Sequence, residues 1–255
     1  MQDRVRGGTQ EFSAAASSAS LRAAVPNPRA AVDKSVRRLL LCFFLSGAAA
    51  LIYQLAWTKL LALLFGYSAY ALGTVLAVFM GGLALGSAWL GKRADSSRDV
   101  IRLYAWIEMG ITGSGALSIA GGALVRTIYL HTYSVAAGWH FGLLLLRVTS
   151  AALVLLLPTV LMGASFPILI RGVTRTAGEL GVKLGRFYAV NTFGAVVGTL
   201  AAGFVLLPGI GLRLTVGAAV LLNLAAGVLA LGSSRNSEAD AHPEGPITIH
   251  GLYIG

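Results

Sequence analysis

Six long apolar stretches, separated by short polar loops, dominate the pattern of hydrophobic and polar positions along the chain. Each reaches the roughly 20 residues that a helix needs to cross a hydrocarbon core of about 30 Å. Because lipid offers backbone groups no hydrogen-bond partner, each stretch is predicted to be helical. The pattern predicts an all-α fold, a polytopic membrane bundle of about six transmembrane helices, with spans 39–57, 70–90, 103–125, 141–170, 187–207 and 214–231.

The fourth stretch is too long for one straight crossing, since its length as a helix is about 45 Å. Pro158 and Pro167 could kink it, or its first part could lie along the membrane surface. If the span starts at residue 141, Arg147 lies about 9 Å deep; if it starts at 150, Arg147 is interfacial. The shorter span, 150–170, ends directly against Arg171 and is the one we favour.

The distribution of charged residues predicts how the bundle is oriented in the membrane. The chain has 20 Lys and Arg against 10 Asp and Glu, a net charge of +10, with 56% hydrophobic and 12% charged residues. Sixteen of the basic residues lie in the N-terminal tail, the loops after spans two and four, and the C-terminal tail. This alternation predicts a multi-pass membrane protein with both termini cytoplasmic, and it argues against nucleic-acid binding. The predicted regions are a disordered tail (1–38), the membrane domain (39–231) and a short tail (232–255).

Spans two and five contain similar sequences. Both begin with Tyr-Ala, at Tyr70 and Tyr188, and both later carry Gly-x-Leu-Ala-x-Gly, at 81–86 and 198–203. The two matches differ in spacing by one residue. A three-plus-three internal repeat of the transporter type and chance similarity between two Gly- and Ala-rich helices are both open.

The same two spans carry small-residue faces. Gly82-x-x-x-Gly86 and Gly194-x-x-x-Gly198 would allow another helix to approach closely. We expect these glycines to be helix-packing positions within the bundle. Contact with another subunit, in a homo-oligomer, is the alternative.

Three segments, 43–87, 158–169 and 185–211, together resemble the membrane half of the fused major-facilitator-like/spermidine synthase family of bacterial proteins. The similarity covers roughly residues 37–232. It implies a helical bundle like half of a major-facilitator protein. It also implies that the bundle precedes a cytoplasmic aminopropyltransferase domain, which uses decarboxylated S-adenosylmethionine and a polyamine acceptor.

The chain departs from that pattern after its last span. Only residues 232–255 follow, without a Gly-rich strand-turn-helix, so no catalytic Asp is carried over. We expect either a truncated or split product or a separate enzyme partner, and we do not expect this chain alone to be catalytic. The sequence assigns no catalytic residue, cofactor or metal site.

A smaller resemblance lies between spans two and three. Gly91 and Asp95 match the start of the G-x-x-x-D-[RK]-x-G-[RK] loop of major-facilitator transporters, and Ser96 and Asp99 depart from its continuation. The resemblance implies a loop that stabilises one conformation of the bundle. An ordinary basic loop is the alternative.

Glu108 is the main candidate for chemistry within the membrane, because ionisable groups there are costly and often functional. A carboxyl group at this depth, about 8 Å into span three, could bind a polyamine cation or exchange a proton. Alternatively, it could pair with a loop arginine or lie in a packed helix interface.

Other candidates for a substrate site are aromatic and amide side chains. Tyr53, Gln54 and Trp57 cluster near the outer end of span one and could line an amine site, although interfacial anchoring would also explain the aromatic pair. Asn191 could also contribute to such a site, and both Asn191 and Asn223 could hydrogen-bond between helices.

These observations predict the membrane domain of a spermidine synthase-like protein, which anchors the enzyme domain and could move polyamine or a related small molecule. The alternatives are a stand-alone transporter that works as a homo-oligomer and an accessory structural subunit of a membrane complex. In each case the lipid bilayer is a partner.

Overall fold

A computed structural model describes residues 28–92, 97, 99–136, 138–174 and 177–240. Side chains are described over the same ranges except 28–34, 177–179 and 235–240. Contacts divide the chain into two units, 1–37 and 38–255. The described part of the first unit is helical, and the helix bundle belongs to the second.

The all-α fold predicted from the apolar pattern is confirmed, because nearly all of the described backbone is helical. The helices are α1 (Pro28–Phe65), α2 (Ala69–Trp89), α3 (Val100–Ala136), α4 (His140–Val173), α5 (Ala177–Leu200), a π-helical segment (Ala201–Leu206) and α6 (Leu207–Asp240).

Residues in the α1–α2 turn explain where α1 ends and where α2 begins. Gly66 adopts a φ of 84°, and its N–H donates to the Ala62 carbonyl oxygen at 2.9 Å. A glycine in the left-handed region commonly terminates a helix in this way. The Ser68 hydroxyl then accepts a hydrogen bond from the Ala71 N–H at 3.2 Å and caps the start of α2.

Five helical stretches of the described chain are long and apolar enough to cross a membrane. The last, Leu180–Ser234, has 55 residues, which correspond to about 80 Å of helix and exceed two bilayer cores. It contains α5, the π-helical segment and α6. A break at Gly211, with φ 75° and ψ 177°, divides it, so the five stretches supply the six predicted helices.

Pro208 and Gly211 account for this division. Pro208 has no N–H, and its ring would clash with the carbonyl four residues earlier in a regular α-helix. The wider π-helical turns at Ala201–Leu206 lie directly before it. The backbone conformation of Gly211 is one that side-chain-bearing residues rarely adopt, so glycine allows the chain to leave the helix here.

Hydrogen bonds between α1 and α3 show that these two helices run in the same direction. Ser46 Oγ donates to Glu108 Oε1, and Trp57 Nε1 donates to Ser118 Oγ, both at 2.8 Å. The earlier residue of α1 bonds to the earlier residue of α3, and the later one to the later one. The two helices are therefore parallel.

Glycine contacts give the direction of α5 relative to α1. Gly194 lies against the Phe44 backbone and Gly198 against the Ala48 backbone. A side chain at either glycine would overlap a carbonyl oxygen of α1. The helices are therefore in direct backbone contact and run parallel.

The other predicted glycine face makes an equivalent contact between α2 and α4. Gly82 lies against Thr159, and Gly86 against the backbone of Val160. Helix α2 is thus parallel to α4, and its two glycines allow the backbones to approach. In both pairs the small-residue faces pack within the chain.

Helix α6 runs opposite to α3. Ser234 Oγ donates to Asp99 at the start of α3, whereas Asn223 Nδ2 donates to Glu108 farther along it. Since α5 is parallel to α1 and hence to α3, the chain reverses between α5 and α6, at the Gly211 break.

Helix α4 also runs opposite to α3, because Gly110 lies against Leu161 and Gly172 against Ile101. The starts of α1, α3 and α5 and the ends of α2, α4 and α6 therefore share one end of the bundle. This is the arrangement that the alternation of basic segments predicts. Which membrane face that end occupies stays a prediction.

Two helices extend beyond the predicted spans. Helix α1 begins at Pro28, so residues 28–38 of the predicted disordered tail are helical, and α6 continues to Asp240. Proline suits a first helical turn because the missing N–H needs no partner there. The remainder of both predicted tails, 1–27 and 241–255, lies outside the described residues.

The fourth predicted stretch is one continuous helix from His140 to Val173, with both prolines inside it. Its first part is largely exposed, and burial becomes regular from Ser150 onward. Arg147 donates to the Phe65 carbonyl oxygen at the end of α1, at 3.3 Å. The apolar stretch extends over the whole helix, His140–Val173, and the shorter crossing, 150–170, stays a prediction.

We expect Gly86→Ala to destabilise the bundle, because its methyl group would overlap the Val160 backbone. Overpacking of this kind costs about 1–3 kcal/mol. Thermal unfolding of the purified protein in detergent would measure the loss. Gly81→Ala is the matched control on the same helix, since the space at Gly81 is open; equal losses at both positions would contradict the close α2–α4 contact.

Candidate functional site

Glu108 lies at the centre of a buried polar cluster. Its side chain is fully buried on α3, with 0% exposed surface. Ser46 of α1 donates to Oε1 at 2.8 Å, and the Asn223 amide of α6 donates to Oε2. Both carboxyl oxygens are thus bound by neutral donors from two other helices. Of the alternatives left open by the sequence, this geometry is that of a packed helix interface.

Further polar groups face the cluster without a hydrogen-bond partner. Tyr104, one turn before Glu108, is fully buried, and its hydroxyl lies near the carboxyl group without meeting hydrogen-bond geometry. The Asn223 Oδ1 atom also lacks a donor. Since an unpaired buried acceptor is costly, the Asn223 Oδ1 atom could accept a hydrogen bond from one further donor.

Tyr53 and Trp57 form an aromatic column next to the cluster. Their rings stack with centroids 4.8 Å apart, and both side chains are fully buried. Tyr53 lies against Gly115 of α3, and its hydroxyl has no hydrogen-bond partner. Trp57 is fixed by its hydrogen bond to Ser118. The column fills the α1–α3 interface from Glu108 toward the Phe65 end of α1.

The structure does not bring every candidate to this interface. Asn191 lies on α5 against Gly47 of α1, which is the side of α1 that faces α5. Gln54 is half-buried and is turned about 100° around α1 from Tyr53. Glu108, Tyr53 and Trp57 therefore share one interface, and Asn191 and Gln54 do not.

Sequence analysis missed Ser46 and Tyr104. Both are common residue types in an apolar helix, and nothing in their local sequence distinguishes them. Tyr104 is one helical turn from Glu108, and this spacing is the one signal that could have identified it.

Of the two loop candidates, Gly91 lies within the described residues and Asp95 does not. Gly91 lies close to the ring of Pro167, so the end of α2 contacts α4. Asp95 lies outside the described residues, and its proposed role in a conformational loop stays a prediction. Within the described ranges, no group of three or more His, Cys, Asp or Glu side chains could hold a metal ion.

The sequence of the chain is similar to that of one enzyme. A 192-residue stretch, 74% of this chain, is 31% identical to polyamine aminopropyltransferase 1 of Streptomyces coelicolor. The chain spans about a third (33%) of the length of that relative. No protein-family model matches the chain, and no solved structure matches it.

We expect Glu108 and Asn223 to be energetically coupled. Asn223→Leu leaves a buried carboxyl oxygen without its donor, and Glu108→Leu leaves the amide unpaired. The double variant removes both partners, so it should lose less stability than the sum of the two, by roughly 0.5–2 kcal/mol. Unfolding free energies in mixed micelles would measure this difference, and strictly additive losses would contradict the coupling.

Proposed function

We propose that the chain is the membrane-embedded part of a spermidine synthase-like protein and holds an aminopropyltransferase domain at the bacterial inner membrane. The observation that carries this proposal is the 31% identity over 192 residues to a polyamine aminopropyltransferase. Because the chain spans 33% of that relative, the relative has ample length for a separate enzyme domain. Such a domain would follow residue 255 in the same polypeptide or bind as a separate subunit.

The bundle geometry supports an anchoring role. The end of α6 and the start of α3 are joined through Ser234 and Asp99, at the end of the bundle that carries the basic segments. By the positive-inside rule this end would be cytoplasmic. A domain attached after α6 would then be held where polyamine synthesis takes place.

We expect deletion of this chain in its native bacterium to release aminopropyltransferase activity from the membrane. Washed membranes would be assayed for aminopropyl transfer from decarboxylated S-adenosylmethionine to putrescine. Re-expression of the chain should restore the membrane-bound activity. The aminopropyltransferase should then co-purify with the chain in mild detergent. Membranes that keep full activity without the chain would contradict anchoring.

A transport role is the second candidate, and the buried cluster around Glu108 favours it. A carboxyl group with nearby unpaired polar atoms is a common feature of proton or cation sites within membranes. The proposed transporter would resemble half of a major-facilitator protein and would complete its pathway as a homo-oligomer. If the first three helices are exchanged with the last three, the α1–α5 contact becomes the α4–α2 contact. This relation supports a three-plus-three repeat.

We expect Glu108→Gln to reduce spermidine flux into proteoliposomes at least tenfold if the carboxyl group binds the moving cation. Ser114→Ala is the matched control on the same helix, because the Ser114 hydroxyl bonds only to carbonyl groups of its own helix. Flux that is equal in the wild type and the Glu108 variant would exclude the carboxyl group as the site. Absence of flux in the wild type would leave anchoring as the function.

A further inference from the structure

A cavity of about 410 Å³ lies between α1, α3 and α6, near the Gly211 break. It is at the opposite end of the bundle from the basic segments. Trp57 separates it from the Glu108 cluster. Its walls are mainly apolar, and two arginines line it; the lining includes Trp57, Leu60, Leu64, Ile119, Arg126 and Arg213.

The two arginines have no carboxylate to pair with in this half of the bundle. The sequence contains no Asp or Glu over 34–94, 109–178 or 180–237. Glu108, the nearest acidic residue on α3, precedes Arg126 by 18 residues, about 27 Å along a helix. Neither Arg126 nor Arg213 makes a hydrogen bond or ion pair with a described residue.

Both arginine side chains are exposed where they line the cavity, so an anion bound there would interact with two positive charges at once. Guanidinium groups match phosphate oxygens in geometry and bind them through paired hydrogen bonds. A polyamine has the opposite charge, so this cavity is unsuited to it. The chemistry selects an anion, and the guanidinium fork matches carboxylate and phosphate groups alike. Of these, phosphate is the group that membrane lipids supply.

We propose that the cavity binds the phosphate group of an anionic phospholipid, which lies between Arg126 and Arg213. The apolar walls favour an amphiphile over a fully solvated ion. Leu63, which also lines the cavity, is 66% exposed, so the cavity opens along the lipid-facing side of α1. An acyl chain could leave the cavity there and continue along the helix surface.

The test compares phosphatidylglycerol with phosphatidylcholine, titrated into the purified full chain in detergent and followed by native mass spectrometry. Phosphatidylglycerol should bind more tightly than phosphatidylcholine. Arg126→Gln and Arg213→Gln should each weaken its binding roughly tenfold or more, the usual effect of losing a hydrogen bond to a charged group. Lys59→Gln is the matched control, because it removes an equal charge from another exposed residue of the same end that does not line the cavity.

Inorganic phosphate, tested by thermal shift in a lipid-free non-ionic detergent, distinguishes the source of the phosphate group. Stabilisation by inorganic phosphate that depends on both arginines would support the phosphate site and assign it to a soluble anion. The double variant Arg126→Lys/Arg213→Lys keeps both positive charges and should retain at least partial binding. It therefore distinguishes loss of the site from misfolding. Equal binding of the two lipids, or anion binding unchanged in the glutamine variants, would overturn the proposal.

Discussion

Close helix contact in a solvent of lipid is the constraint on which the rest of this structure depends. Helices gain no water-release energy by associating in hydrocarbon, so van der Waals contact must hold them together. Gly194 and Gly198 bring α5 onto the α1 backbone, and Gly82 and Gly86 bring α2 onto α4. Helix α3 contacts α1, α4 and α6, and its Glu108 is the one carboxyl group that is buried among the described side chains.

The two glycine contacts are related in a way that the sequence alone left open. Exchanging the first three helices with the last three converts the α1–α5 pair into α4–α2 and leaves the α3–α6 pair unchanged. The sequence match was weak because its spacing differed by one residue between spans two and five. Packing gives an independent reason for the match, since each glycine face needs a parallel partner helix. The same glycine faces carry both the sequence match and the packing relation, so a three-plus-three repeat and chance similarity stay alternatives.

Sequence predicted most of the fold and only part of the candidate site. Hydropathy located the helices because crossing a bilayer fixes their length, and Gly-x-x-x-Gly spacing identified the packing faces. The extensions at Pro28 and Asp240 were missed because polar helical ends carry no hydropathy signal. Ser46 could not be identified as a partner of Glu108, since their contact depends on the register between two helices. Single-sequence patterns do not contain that register.

The charges along the α1–α3 interface bear on which function the bundle can perform. Glu108 could attract a cation, but the cavity beyond Trp57 carries Arg126 and Arg213 and would repel one. At about 27 Å and an effective dielectric constant near 20, Glu108 and Arg126 interact by only about 0.6 kcal/mol, so neither charge neutralises the other. Without a bound anion at the arginines, a polycation that moved along this interface would meet a barrier there. A polyamine path would then have to bypass that cavity, whereas an anchoring role makes no such demand.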